Sequence, residues 1–196
     1  FNISGTNSSS DFVFSKTFTG NNYSDKKYEG ITSTIIINEE YESDHIINSQ
    51  FINPNLSNNQ EYLFIIQKEF FLENILFSFL AEFKNKIGAI KIETDDQITI
   101  CNCTFITNSN NGADIAIFIS SHPKNERKRR KEDFNTFLIE KNIFLNFNTA
   151  ISTFSDRISI IDNDIVHCRG TAIYIASQFS SQSNFDLMNN RIRNCT

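Results

Sequence analysis

The chain of 196 residues has no tryptophan, one methionine, two prolines and six glycines. Each scarcity removes a class of protein. So little glycine and proline is too low for a long disordered chain, so most of the molecule is expected to be ordered. The absence of tryptophan removes the side chain best suited to stacking on sugar rings. No apolar run approaches the roughly 18 residues of a membrane-spanning helix. The nearest candidate, 70–83, is interrupted by Glu73, Asn74 and Glu82. A net charge of −5 gives no electrostatic argument for nucleic acid. There is no phosphate-binding loop, dinucleotide fingerprint or zinc-protease motif. Cys101-Asn102-Cys103 lacks zinc-pair spacing, and no second Cys/His pair lies at finger distance. No cofactor and no metal are expected.

What the chain does have is isoleucine, asparagine and 20 phenylalanines, arranged in a repeat. Ile98-x-Ile100-x-x-Cys103-x-Phe105-x-x-Asn108 returns as Phe137-x-Ile139-x-x-Asn142-x-Phe144-x-x-Phe147. It returns again as Ile158-x-Ile160-x-x-Asn163-x-Ile165-x-x-Cys168 and as Phe185-x-Leu187-x-x-Asn190-x-Ile192-x-x-Cys195. A recurring unit of about 20–30 residues marks a solenoid. The alternation that opens each unit is strand periodicity. The expected fold class is all-β, a right-handed parallel β-helix. Ile100, Ile139, Ile160 and Leu187 should stack as one interior column, and Asn142, Asn163 and Asn190 as another. Asparagine suits a turn because it tolerates left-handed backbone angles. Stacked in register, its amide can also bond the amide of the next coil.

A second strand recurs where a small residue precedes alternating apolar positions: 88–92, 112–117, 149–154 and 170–175. Phe105-Ile106-Thr107-Asn108 with Asn111-Gly112-Ala113, and Gly170-Thr171-Ala172-Ile173, resemble the FxxN and GGA[ILV] repeats of polymorphic outer-membrane proteins. More broadly the chain looks like the right-handed parallel β-helix superfamily of surface adhesins and carbohydrate-active enzymes. The resemblance covers about residues 60–196, and only one unit carries a literal FxxN.

Residues 1–60 read as irregular coils and loops, and 61–196 as regular coils with a basic insertion at 120–136. Over 69–83, strands compete with a helix, because Leu72, Ile75, Leu76 and Phe79 also have helical spacing; strands are the favoured reading. The first residue, Phe1, and the lack of a cap after Cys195 suggest a piece of a longer solenoid, with further coils of the same chain as neighbours.

Sequons at Asn2, Asn7, Asn22, Asn55, Asn102 and Asn194 permit N-glycosylation and point to the secretory pathway. Cys168 and Cys195 occupy one template position in consecutive coils, about 4.8 Å apart. They are therefore expected to be neighbours, either bridged in an oxidising compartment or stacked as buried thiols. The insertion carries Lys124, Arg127, Lys128, Arg129, Arg130 and Lys131. A solvated loop, a site for an anionic partner and a processing site for dibasic proteases all remain open.

Catalytic constellations are weak. Asp95 and Asp96 form the one adjacent aspartate pair near a strand and read as a polar turn. Asp162 and Asp164 flank Asn163 and alternate outward. The Gly-His-Gly and Arg-Ile-Lys elements of polygalacturonases are absent. The function expected is a non-enzymatic extracellular or cell-surface scaffold that meets other proteins or surface glycans. A carbohydrate-active enzyme or glycan-binding module is the rival.

Overall fold

The computed structural model describes residues 2–3, 14–15, 26–40, 43–56, 60–80, 88–108, 114–120, 137–155, 157–176 and 184–196. From Lys26 onward the described residues form a parallel β-helix. Sheet one has seven strands: Lys26–Glu29, Ser49–Ile52, Leu76–Phe79, Thr104–Thr107, Ile143–Leu145, Asp164–Val166 and Arg191–Arg193. Sheet two has six: Ile35–Ile37, Tyr62–Ile66, Gly88–Ile92, Ile115–Ile119, Thr149–Thr153 and Ile173–Ile175. Sheet three has six: His45–Ile47, Phe70–Glu73, Ile98–Cys101, Phe137–Glu140, Arg157–Ile161 and Asn184–Met188. The chain visits sheets one, two and three in turn, then repeats. Each strand thus pairs only with its equivalents one coil before and after. A separate antiparallel pair joins Asn2–Ile3 to Phe14–Ser15.

The ladders start at Lys26, where Lys26–Glu29 pairs with Ser49–Ile52, and they cross residue 60 without interruption. Within 69–83 the described residues hold two strands, Phe70–Glu73 and Leu76–Phe79, and no helix. Asn74 lies between them with a left-handed φ of 53°, which a helix could not contain. The long step is also in place. Cys103 and Asn142 are neighbours across one coil although 39 residues apart in sequence. The surplus leaves sheet two after Ile119 and rejoins at Phe137 in sheet three. The Lys124–Lys131 segment lies outside the described residues.

Burial follows alternation. In sheet three Ile46, Leu72, Ile100, Ile139, Ile160 and Leu187 share one register. In sheet one the equivalent column is Tyr28, Phe51, Phe77, Phe105, Phe144, Ile165 and Ile192. Its first five rings stack nearly face to face, with centroids 5.0, 5.6, 4.7 and 4.9 Å apart. Fully burying one such side chain stabilises by roughly 1.5–3 kcal/mol, so adjacent coils adhere without a cofactor. Burial fades in the final coil, where Leu187 is 52% and Ile192 50% exposed.

The corners have their own chemistry. Every turn from sheet three to sheet one holds one left-handed residue: Asn48, Asn74, Asn102, Lys141, Asp162 and Asn189. Asparagine and aspartate take this conformation at low cost, whereas most L residues lose about 1–2 kcal/mol there. The sequence template placed the turn at Cys103, Asn142, Asn163 and Asn190. The left-handed residue is instead the one just before, and the template residue points into the core. Gly88, the small residue that opens one of the second strands, has a steric role. A Cβ there would lie 2.2 Å from the Tyr62 ring, so this glycine makes room for a neighbouring aromatic.

Candidate functional site

Three arrangements built by the coils bear on function: an interior polar ladder, an acidic groove and an outward aromatic row. The ladder begins where Asn142 follows left-handed Lys141 and enters the core. Asn142 Nδ2 donates to Asn163 Oδ1 at 3.0 Å, and Asn163 Nδ2 donates to Asn190 Oδ1 at 2.9 Å. Each Oδ1 also accepts the backbone N–H of the preceding coil: Cys103 to Asn142, Asn142 to Asn163, Asn163 to Asn190. Each Nδ2 reaches back to a carbonyl, on Ile100, Ile139 or Ile160. Asn142 and Asn163 are each 1% exposed, so these bonds satisfy groups that water cannot reach. This is a structural device, in which Asn142 and Asn163 spend both amide protons inside the ladder.

A groove of about 830 Å³ runs beside the start of sheet three. Glu39, Asp44, Glu69, Glu73 and Asp96 line it, with His45 and Lys68 as the basic groups. Asp44 Oδ1 lies 2.6 Å from His45 Nδ1. That hydrogen bond is the main reason the Asp44 carboxyl sits below its ordinary range. Asp96 is tied into its turn by Thr94, whose Oγ1 donates to Asp96 Oδ2 at 2.6 Å and accepts the Asp96 N–H. Sequence reading missed this groove because its acids come from three coils and touch no common motif. The one available signal was the run of acids between strands at 39–44 and at 93–96.

The aspartates singled out from sequence stand apart. Asp95 and Asp96 occupy a corner between sheets two and three, and Asp162 a left-handed corner between sheets three and one. Asp164 pairs with Arg193 Nη2 at 2.6 Å on sheet one. Among the described residues, no group of three or more His, Cys, Asp or Glu is placed to hold a metal.

Rings on the outer face of sheet two form a third feature. Tyr62 stacks on Phe118 at 6.1 Å, Phe118 meets Phe154 edge-on at 5.8 Å, and Phe154 meets Tyr174 at 6.2 Å. Burial pushes the Tyr62 hydroxyl up to about 12, with Glu61 and Asp114 adding to it. Tyr174 is 47% exposed. Neither Tyr62, Phe118 nor Phe154 belongs to the repeat template.

Of the six sequons, Asn55, Asn102 and Asn194 have exposed acceptors, the last two in left-handed corners. The side chains of Asn2, Asn7 and Asn22 lie outside the described residues, as does the whole anionic-partner candidate Lys124, Arg127, Lys128, Arg129, Arg130 and Lys131. The four cysteines are thiols. Cys168 and Cys195 are brought together: the Cys168 N–H donates to Cys195 Sγ at 3.2 Å. Among the described residues no helix is long and apolar enough to cross a membrane. Comparison with protein-family models, with curated proteins and with solved structures finds no match.

Proposed function

We propose that the chain is a non-enzymatic scaffold of an extracellular or cell-surface protein, a rod that displays side chains to other proteins or surface glycans. The observation that carries this reading is the outward row Tyr62, Phe118, Phe154 and Tyr174. It runs along the rod on a sheet whose inner face is already filled. Aromatic side chains placed partly in solvent contribute large contact area at low conformational cost, which is why they recur at interfaces. The rod beneath is stiff because each coil is bound to the next by three ladders. The secretory location rests on the sequons, with acceptors exposed at Asn55, Asn102 and Asn194. The FxxN and GGA[ILV] likeness supports a surface role of the kind played by polymorphic outer-membrane proteins.

A second reading, a carbohydrate-active enzyme or glycan-binding module, draws on the acidic groove. One experiment separates the two. Glycan arrays and cell-surface extracts are probed with the purified chain and with Phe154→Ala/Tyr174→Ala, while Glu69→Gln and Asp96→Asn are assayed for polysaccharide cleavage. The scaffold reading predicts binding that the aromatic variant reduces at least about tenfold, the size of a lost interface hot spot, with no cleavage by any form. Cleavage by the unaltered chain that Glu69→Gln abolishes would overturn it in favour of the enzyme.

A further inference from the structure

We propose that Cys168 and Cys195 form a reversible redox clasp that locks the coil of Cys195 onto the coil of Cys168, while Cys101 and Cys103 stay thiols. This holds wherever the protein works and does not depend on the scaffold reading. The two residues continue one register. Val166 pairs with Arg193, and two residues on, the Thr196 N–H donates to the Cys168 carbonyl at 3.0 Å. Equivalent positions in adjacent parallel coils sit about 4.8 Å apart, inside the 4.4–6.8 Å Cα range of a disulfide. Cys195 Sγ already lies 3.2 Å from the Cys168 amide nitrogen and accepts its N–H.

The other two cysteines are placed differently. Cys103 is fully buried, its thiol donating to the Cys101 carbonyl at 3.2 Å and to Leu72 O at 3.9 Å. Cys101 is 5% exposed, and burial pushes both thiols up, to about 11 and about 12. Neither has a cysteine in register with it in an adjacent coil: Cys101 lies between Glu73 and Glu140, and Cys103 faces Asn142.

The closing step is thiol–disulfide exchange with a small disulfide such as oxidised glutathione. Cys195, the more exposed thiol, loses its proton and attacks one sulfur, giving a mixed disulfide and one glutathione thiolate that takes up a proton. Cys168 then loses its proton and attacks Cys195 Sγ, forming the Sγ–Sγ bond and expelling the second glutathione as a thiol. Two protein thiols are oxidised and one disulfide is reduced to two thiols. Burial, then the neighbouring Cys195, pushes Cys168 up to about 12. The second attack is therefore slow near neutrality and accelerates as the pH rises.

The chain is incubated with oxidised glutathione between about pH 7 and pH 9, alkylated and mapped without reduction, with backbone hydrogen exchange followed in parallel. The expected result is a linked peptide pair carrying Cys168 and Cys195, with Cys101 and Cys103 alkylated. Exchange at Thr196 and Arg193 should slow by about tenfold or more on closure. Cys168→Ser, a small change, should instead hold Cys195 as a stable glutathione adduct. Four alkylated thiols, an unresolved adduct at Cys195 of the unaltered chain near pH 9, or a bridge through Cys101 or Cys103 would each overturn the proposal.

Discussion

The first four coils and the last three are held together by different columns in the same rod. From Tyr28 to Phe144, sheet one is threaded by five stacked aromatic rings, and the corner positions beside them are Ser49, Ile75 and Cys103. At Asn142 that corner column becomes a chain of amides running to Asn190. One turn later the ring column gives way to Ile165 and Ile192. The two devices overlap in the coil that carries both Asn142 and Phe144. Ring stacking rewards area and tolerates small displacements, because dispersion and burial are non-directional. The amide ladder is directional: each link satisfies several buried groups, and a missing link orphans them all at once. The early coils should therefore lose stability in proportion to volume, and the late coils in proportion to unsatisfied polar groups.

The largest effect is expected in the aromatic column. Phe105→Ala, in mid-stack, should cost about 3–5 kcal/mol, read as a shifted midpoint in chemical denaturation. Phe105→Leu should recover most of it, because volume rather than geometry matters there. Next comes Asn163→Ala, which removes the acceptor for the Asn142 N–H and Nδ2 and the donor to Ile139 O. Leaving these buried groups without their partner should cost about 1–3 kcal/mol in all, since the small cavity lets them relax toward one another. Asn163→Leu, larger and apolar, should not rescue it. Asn163→Asp adds a pH test. A carboxyl buried among these carbonyls has its folded pKa raised above about 3.9. Stability of that variant is then greatest below the unfolded value and falls as pH rises toward the folded one.

Smaller, and of opposite sign, is Lys141→Asn. Lys141 carries a φ of 54° at a corner where four of the six equivalent turns use asparagine, and its side chain is 56% exposed. The change should stabilise by about 1 kcal/mol, seen as a higher denaturation midpoint. The smallest effect is expected from Asp164→Asn. The Asp164–Arg193 pair is partly solvated, so its loss should cost under about 1 kcal/mol and vanish in high salt.

Much of the late half was legible from the chain alone. The spacing of Ile100, Ile139, Ile160 and Leu187 stated the column outright, because alternation and a stacking period leave few other arrangements. The Asn ladder was legible for the same reason. Its turn chemistry was displaced by one residue, since a template of shared letters marks the inward position rather than the varied Asn102, Lys141, Asp162 and Asn189 beside it. In the early half, Lys26–Ile47 carries a coil as regular as any other, yet its strands are short and the stretch before its third strand is acidic, so the period is blurred. The groove and the outward ring row were not legible. Both are made by residues from different coils that share a face only after the chain has wound.

The most direct test of the central claim is a double-mutant cycle across one amide link, Asn142→Ala with Asn163→Ala, beside a second cycle pairing Phe77→Ala with Asn163→Ala. Stacking in adjacent coils predicts a coupling of about 0.5–3 kcal/mol for the asparagine pair and additivity within about 0.5 kcal/mol for the distant pair. Additive asparagines would contradict the ladder, and with it the register on which the coil-by-coil account of this protein stands.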